Sequence, residues 1–191
     1  MRVYDMVVAE RLRAADLLDG LTGPQWRSPT LCGAWTVHDV AAHLVSYLRL
    51  GRAKLYAGLV ATAADLDRMN LILTRRYARL PSPTLVSMLR RGAGSRLTIP
   101  RSGYDPALAD VVLHELDVRR PLGLPGQAAE DRLWVAFQHL AVRPSPGFTM
   151  GARLAGLRLH ATDTGWTHGD GPLVAGPAAD LLLAMAGRAV R

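Results

Sequence analysis

Residues 109–120, ADVVLHELDVRR, set the frame for the whole chain. In a helix Asp110 and His114 lie one turn apart on one face, and Asp117 continues the same stripe. A second histidine, His43, falls in another stretch of helical periodicity, residues 36–50. Two such helices packed side by side bring His43, Asp110 and His114 to one point. Three nitrogen and oxygen ligands from facing helices, with coordination positions left open, are the arrangement of a catalytic zinc or similar divalent site in a helical bundle. Asp117 would either orient a metal-bound histidine from behind or pair with Arg119 or Arg120.

At 191 residues the chain can bury a real core without disulfides or a structural metal. Its 49% apolar and 20% charged content is ordinary for a globular protein, and no apolar run is long enough to span a membrane. The start, MRVYDMVVAERLR, runs straight into an amphipathic helix rather than a secretory signal, so a cytoplasmic protein is expected. Cys32 is the only cysteine, which excludes an internal disulfide and a thiolate metal cluster within one chain. It reads as a small, buried, unreactive residue. The net charge of +7 comes almost wholly from arginine, since Lys54 is the sole lysine. Arginine suits carboxylates and phosphates, but a genome of high GC content favours it as well, along with Ala, Gly and Pro. The basic residues are dispersed and no nucleic-acid recognition motif accompanies them, so a nucleic-acid partner is not expected.

Outward from the central stretch, Pro106 stands in the first turn of its helix, where its missing N–H costs nothing, and Pro121 with Gly123 ends it. Upstream, Val8, Leu12, Ala15 and Leu18 predict a helix over residues 3–21. Residues 26–35, WRSPTLCGAW, read as a loop ordered by its two tryptophans. Thr36 and Asp39 then form a capping-box pattern that opens the second helix, with Val37, Val40, Ala41, Leu44 and Leu48 as its apolar arc and His43 on the margin. His38 reads as solvated. A third helix is expected over residues 62–80, with Leu66, Met69, Leu73 and Tyr77 in phase. Arg75 and Arg76 near its end are candidate substrate-binding residues, although basic residues there also match the helix dipole. A short helix over residues 84–91, a loop over 92–103 and a helix over 127–142 packing through Leu133, Trp134, Phe137 and Leu140 complete the larger part. His139 reads as structural or exposed. From residue 156 the pattern alternates, giving strands over 156–163 and 172–175 around a turn at 166–171, then a short apolar helix after Pro177. The expected architecture is therefore mainly α: a four-helix bundle over residues 1–147 with a small C-terminal α/β appendage over 148–191.

LCGAWTVHDVAAHLV, residues 31–45, together with ADVVLHELDVRRPLG, residues 109–123, resembles the mycothiol-dependent maleylpyruvate isomerase family, a branch of the DinB-like metal-binding bundles. The C-terminal residues 156–188 are similar to that family's small C-terminal domain. The resemblance implies metal ligands at His43, Asp110 and His114, with Asp at 110 where the isomerase branch has Glu. It also implies an important arginine on or near the third helix, matched by Arg75 or Arg76. The implied chemistry is attack of metal-activated mycothiol, the actinobacterial counterpart of glutathione, on an electrophilic small molecule, giving a conjugate or a cis–trans isomer. Two other classes stay open: a metal hydrolase activating water, for which Glu115 is the nearest candidate base, and a non-catalytic metal-binding accessory of the same fold. Both a monomer and a homodimer are compatible with the sequence.

Overall fold

The computed structural model describes residues 1–63, 65–98, 102–126, 128–142, 154 and 156–189. The bundle is a ring of four helices. α1 (Val3–Asp19), α3 (Val37–Leu48), α6 (Ser82–Gly92) and α7 (Asp105–Arg119) each pack on two of the others in the order α1–α7–α3–α6–α1. Further helices surround this ring. α2 (Gly23–Trp26) is a single turn before α3, α5 (Leu66–Tyr77) covers the outside of α3, α4 (Arg52–Ala61) packs on α5, and α8 (Glu130–Ala141) packs along α7. No described helix is long and apolar enough to cross a membrane.

α3 starts where the capping pattern places it. The Asp39 N–H donates to Thr36 Oγ1 at 3.3 Å, and the Asp39 carboxylate accepts from the Thr36 N–H at 3.0 Å. α7 is the central helix: Pro106, Leu108, Ala109 and every residue from Val111 to Val118 are buried. Leu108, Leu113 and Leu116 each contribute about 1.5–3 kcal/mol of burial. Beyond its first turn, which begins with Asp105, the same helix carries three carboxylates: Asp110, Glu115 and Asp117.

Some expectations are corrected. α1 buries Met6, Val7, Glu10, Arg11, Ala14, Ala15 and Leu18, whereas Leu12 is 39% exposed. Its inward face is turned from the apolar stripe because Glu10 is drawn in by an ion network. Arg13 reaches both Glu10 and Glu115 at 2.7 Å, Arg132 reaches Glu10 at 3.0 Å, and Arg119 reaches Glu115 at 2.7 Å. Trp134 is 46% exposed rather than core, and Leu133, Phe137 and Leu140 fill the interface with α7. His38 is not solvated but half-buried, its ring nitrogens 3.1 Å from Ser82 Oγ and from the Ala78 carbonyl.

The C-terminal unit is a three-stranded sheet with one helix. β1 (Arg158–Ala161) pairs antiparallel with β2 (Thr167–His168) and parallel with β3 (Leu173–Gly176), in the order β2–β1–β3, and α9 (Ala178–Met185) follows. β2 occupies part of the expected turn. Gly169, at φ +85°, and Gly171 permit the tight crossing there, since a Cβ on them would lie 2.1 Å and 1.8 Å from backbone oxygens of Leu157 and Gly156. Trp166 is buried and stacks on Phe137 of α8 at 4.1 Å between ring centres. One continuous core therefore runs from the bundle through α8 into the sheet and α9. The expected boundary at residues 147 and 148 lies outside the described residues, as does the expected start of α8 at Gln127.

Candidate metal centre

The i, i+4 spacing on α7 and the inward turn of α3 bring His43, Asp110 and His114 together. His43 Nε2 lies 3.3 Å and His114 Nε2 3.5 Å from the same oxygen, Oδ1 of Asp110. One ligand atom from each lies within 4.8 Å of the others. Two donors bound about 2.0–2.1 Å from zinc at a tetrahedral angle stand roughly 3.4 Å apart, so these separations fit one shared ion.

His114 is held from behind. Its Nδ1 is 3.0 Å from Asp117 Oδ2, and Asp117 is fully buried. Arg188, just past α9, completes the arrangement by donating from Nε to Asp117 Oδ1 at 3.1 Å and from Nη2 to Oδ2 at 2.9 Å. With a proton on Nδ1, the Nε2 lone pair of His114 faces the cavity, which is the tautomer a metal needs. His43 has no such support: its Nδ1 is buried without a hydrogen-bond partner among the described residues. Asp117 thus sits behind His114 and pairs with Arg188, not with Arg119 or Arg120. Arg119 binds Glu115, and Arg120 pairs with Asp180.

Electrostatics separate Asp110, Glu115 and Asp117 of α7. Burial alone would raise Asp110, but the His43 and His114 imidazoles outweigh it and hold the carboxyl well below the usual range. Burial likewise opposes the ionisation of Asp117, and His114 and Arg188 reverse it. At His114, burial disfavours the charged ring, yet Asp110, Asp117 and Cys32 raise its pKa well above the ordinary histidine value. Glu115 stays raised by burial despite Arg13 and Arg119. Cys32, His114 and Asp117 form a second close group, but the Asp117 oxygens are already taken by His114 and Arg188, so Asp110 is the carboxylate with lone pairs to spare.

The imidazoles form the floor of a cavity of about 700 Å³. Trp35 covers them, its ring centre 5.1 Å from His43 and 5.9 Å from His114, and Tyr47 stands edge-on to His43 at 5.7 Å. The Tyr47 hydroxyl donates to Asn70 Oδ1, and its pKa is raised by burial and by the nearby Asp110 and Asp67 charges. Gly33, at φ +59°, lets the loop before α3 fold back, and the Leu31 N–H donates to the Asp117 carbonyl at 3.2 Å. Cys32 and Trp35 consequently both line the cavity. Cys32 is half-buried rather than buried, with its sulfur 3.6 Å from Arg188 Nη2. Arg75 and Arg76 are exposed at the end of α5 and do not line the cavity; Arg11 and Arg188 do.

A family model described as the mycothiol maleylpyruvate isomerase N-terminal domain matches residues 7–165. The chain belongs to that family. No curated protein matches it. Among solved structures it is similar to the crystal structure of the mycothiol-dependent maleylpyruvate isomerase and to that of a histidine-to-alanine mutant of the same enzyme. Each is 15% identical at a TM-score of 0.52, with 99% of this chain and 92% of the other covered. At that identity the likeness is one of fold, and it extends over bundle and C-terminal sheet alike. The part of this mycothiol maleylpyruvate isomerase family member that the family model matches contains His43, Asp110, His114 and Asp117, while Arg188 lies beyond it.

Proposed function

We propose that this protein is an enzyme that uses mycothiol as co-substrate, with a divalent metal, zinc by its donor set, held by His43, Asp110 and His114. The observation that carries the reading is the convergence of both Nε2 atoms on Asp110 Oδ1, with Asp117 fixing His114 from behind. Two imidazoles and one carboxylate leave a coordination position for a further ligand. A divalent ion bound there stabilises thiolate over thiol at neutral pH.

The chain's own residues supply the setting. Asp117 and Arg188 hold His114 in the ligating tautomer, and Trp35 and Tyr47 flank the imidazoles and keep water from their sides. Asp110, one quarter exposed, faces the cavity as the accessible carboxylate. The reaction is addition of the thiolate sulfur to an electrophilic carbon of a small molecule. Retention of the sulfur, with protonation of the neighbouring carbon, gives a conjugate; rotation about the carbon–carbon bond that addition has reduced from double to single, followed by loss of the same thiolate, gives a cis–trans isomer. Glu115 is not available as a base for water, because it is tied to Arg13 and Arg119 away from the cavity.

The test is metal content of the wild type and of His114→Ala, followed by titration with mycothiol while thiolate absorbance is recorded. Near-stoichiometric metal that the variant loses, with thiolate formed only in the metal-loaded protein, is the expected result. Bound metal with no response to mycothiol would point to activated water instead. Failure to bind metal under replete conditions would leave a non-catalytic relative.

A further inference from the structure

The cavity is strongly asymmetric. Beyond the imidazole floor, its wall carries Leu44, Leu48, Leu55, Leu59 and Leu66 of α3, α4 and α5, with Asp67 and Asn70 of α5 as polar neighbours. A hydrocarbon gains by entering against these leucines, whereas a second carboxylate there loses hydration and meets the like charge of Asp67.

Arg11 is the second unusual feature. It enters from α1, is only 8% exposed and lines the same cavity. One nitrogen, Nη1, donates to the Ala93 and Ser95 carbonyls at 3.0 and 3.1 Å, which fixes the guanidinium at the end of α6. Its Nε and Nη2 have no hydrogen-bond partner, and Arg11 forms no ion pair, among the described residues. Burial lowers its pKa, and the charge of Asp110 partly offsets this, so Arg11 lies within reach of the floor's field. Arg188 differs, since it is already neutralised by Asp117. A buried cation with one edge unused is costly unless an anion completes it, and a guanidinium edge matches a carboxylate.

We propose that the electrophile is an apolar mono-acid, its carboxylate received by Arg11 and its hydrocarbon body by the leucine wall, with the reacting carbon between them above the His43–Asp110–His114 floor. This rests on the thiol-addition reading for the identity of the reaction. It makes Arg11 a specificity-determining residue and sets the expected substrate apart from a compact dicarboxylate.

Calorimetric titration of the zinc-loaded protein in the absence of any thiol, so that no addition can occur, tests it with four probes: octanoate, cinnamate, cinnamamide and maleate. Octanoate and cinnamate are expected to bind at least tenfold more tightly than maleate. Arg11→Met should weaken cinnamate at least tenfold while leaving cinnamamide within about twofold, and Arg11→Lys should recover part of the loss. Leu59→Asp, at the other end, should weaken octanoate at least tenfold and spare maleate. Melting curves establish that each variant is folded, and the two ends test the proposal independently. Tighter binding of maleate than of octanoate would overturn it. So would cinnamate binding indifferent to Arg11→Met, which is the behaviour of a carboxylate held by the metal alone. Thiolate formation from mycothiol is recorded in parallel: acids that bind as described without thiolate sink the reaction and leave the ligand class, whereas thiolate with maleate preferred sinks only the ligand class.

Discussion

Asp117→Asn separates a residue that tunes a metal ligand from one that merely fills the core. The amide has the same shape but only one accepting oxygen, and Asp117 now accepts from three donors: Nδ1–H of His114 at 3.0 Å and Nε and Nη2 of Arg188 at 3.1 and 2.9 Å. After substitution at least one donor faces an NH₂ group. Loss of a partner behind a metal-bound histidine costs 10–100-fold in metal affinity, or about 1.4–2.7 kcal/mol. The Arg188 side chain, 18% exposed, also loses its counter-charge, which destabilises the fold by about 3 kcal/mol, at the low end for a broken buried pair because part of Arg188 remains hydrated. For a chain of this length that corresponds to a drop in Tm of roughly 6–12 °C. Zinc affinity is read by competition with a chromophoric chelator and Tm by circular dichroism on the metal-free protein, so that lost metal does not masquerade as lost stability. Arg188→Met gives the control, because Asp117 retains His114 without it; zinc affinity of the double variant should then equal that of Asp117→Asn alone. An Asp117→Asn protein with a lowered Tm and unchanged zinc affinity would refute the argument and leave Asp117 as a partner of Arg188 only.

Three further outcomes are expected. Glu115→Gln breaks a buried ion network, costing about 3–5 kcal/mol, yet should leave zinc content and thiolate formation intact; loss of activity at unchanged zinc would revive Glu115 as a base. Trp166→Ala removes the stack on Phe137 and should destabilise the chain by about 3–5 kcal/mol in urea unfolding, since the sheet shares the bundle's core; a loss below about 1 kcal/mol would mean that the sheet is not anchored there. His139 is buried and its pKa is lowered, chiefly by burial and against the pull of Asp105. Its neutral form is the folded one, so its contribution is present above the unfolded pKa of about 6.5 and is lost as pH falls below it, where the unfolded chain takes up the proton. Urea unfolding between about pH 7 and pH 5 should show stability falling toward acid and a shallower fall in His139→Leu; identical slopes in the two proteins would remove His139 as the cause.

What the sequence disclosed depended on whether the cause was local. α3 and α7 were readable because Thr36, Asp39 and Pro106 act within one turn, and the Asp110–His114 pair follows from helical spacing alone. Arg188 and Asp117 are 71 residues apart, and nothing in either segment signals that they meet. Arg11 was missed for a related reason: a charged residue on an amphipathic helix is read as solvent-facing, and only the end of α6 turns it into a buried one. The same blindness misplaced the inward face of α1, where Glu10 competes successfully with Leu12 for the interior. α4 lacks a clear apolar stripe; its Gly58 instead lets α5 approach, with Met69 Sδ 3.0 Å from where a Cβ would stand. β2 has two residues, too few for alternation to register.

The placement of Asp110, Glu115 and Asp117 on the buried length of one helix is what makes α7 a site-bearing element rather than an ordinary core helix. Each carries a charge that burial opposes, and each is compensated differently. Glu115 is compensated from α1 and from its own helix, which ties α7 into the bundle on the side away from the cavity. Asp117 is compensated from beyond α9, which draws the C-terminal unit onto the bundle and at the same time fixes the orientation of His114. Asp110 is compensated by imidazoles alone, His43 and His114, both of which a metal would also bind, and of these three only Asp110 reaches the cavity. Two carboxylates therefore hold the helix in place while the third remains exchangeable. A cation can replace the imidazole contacts of Asp110 without disturbing either of the other two networks.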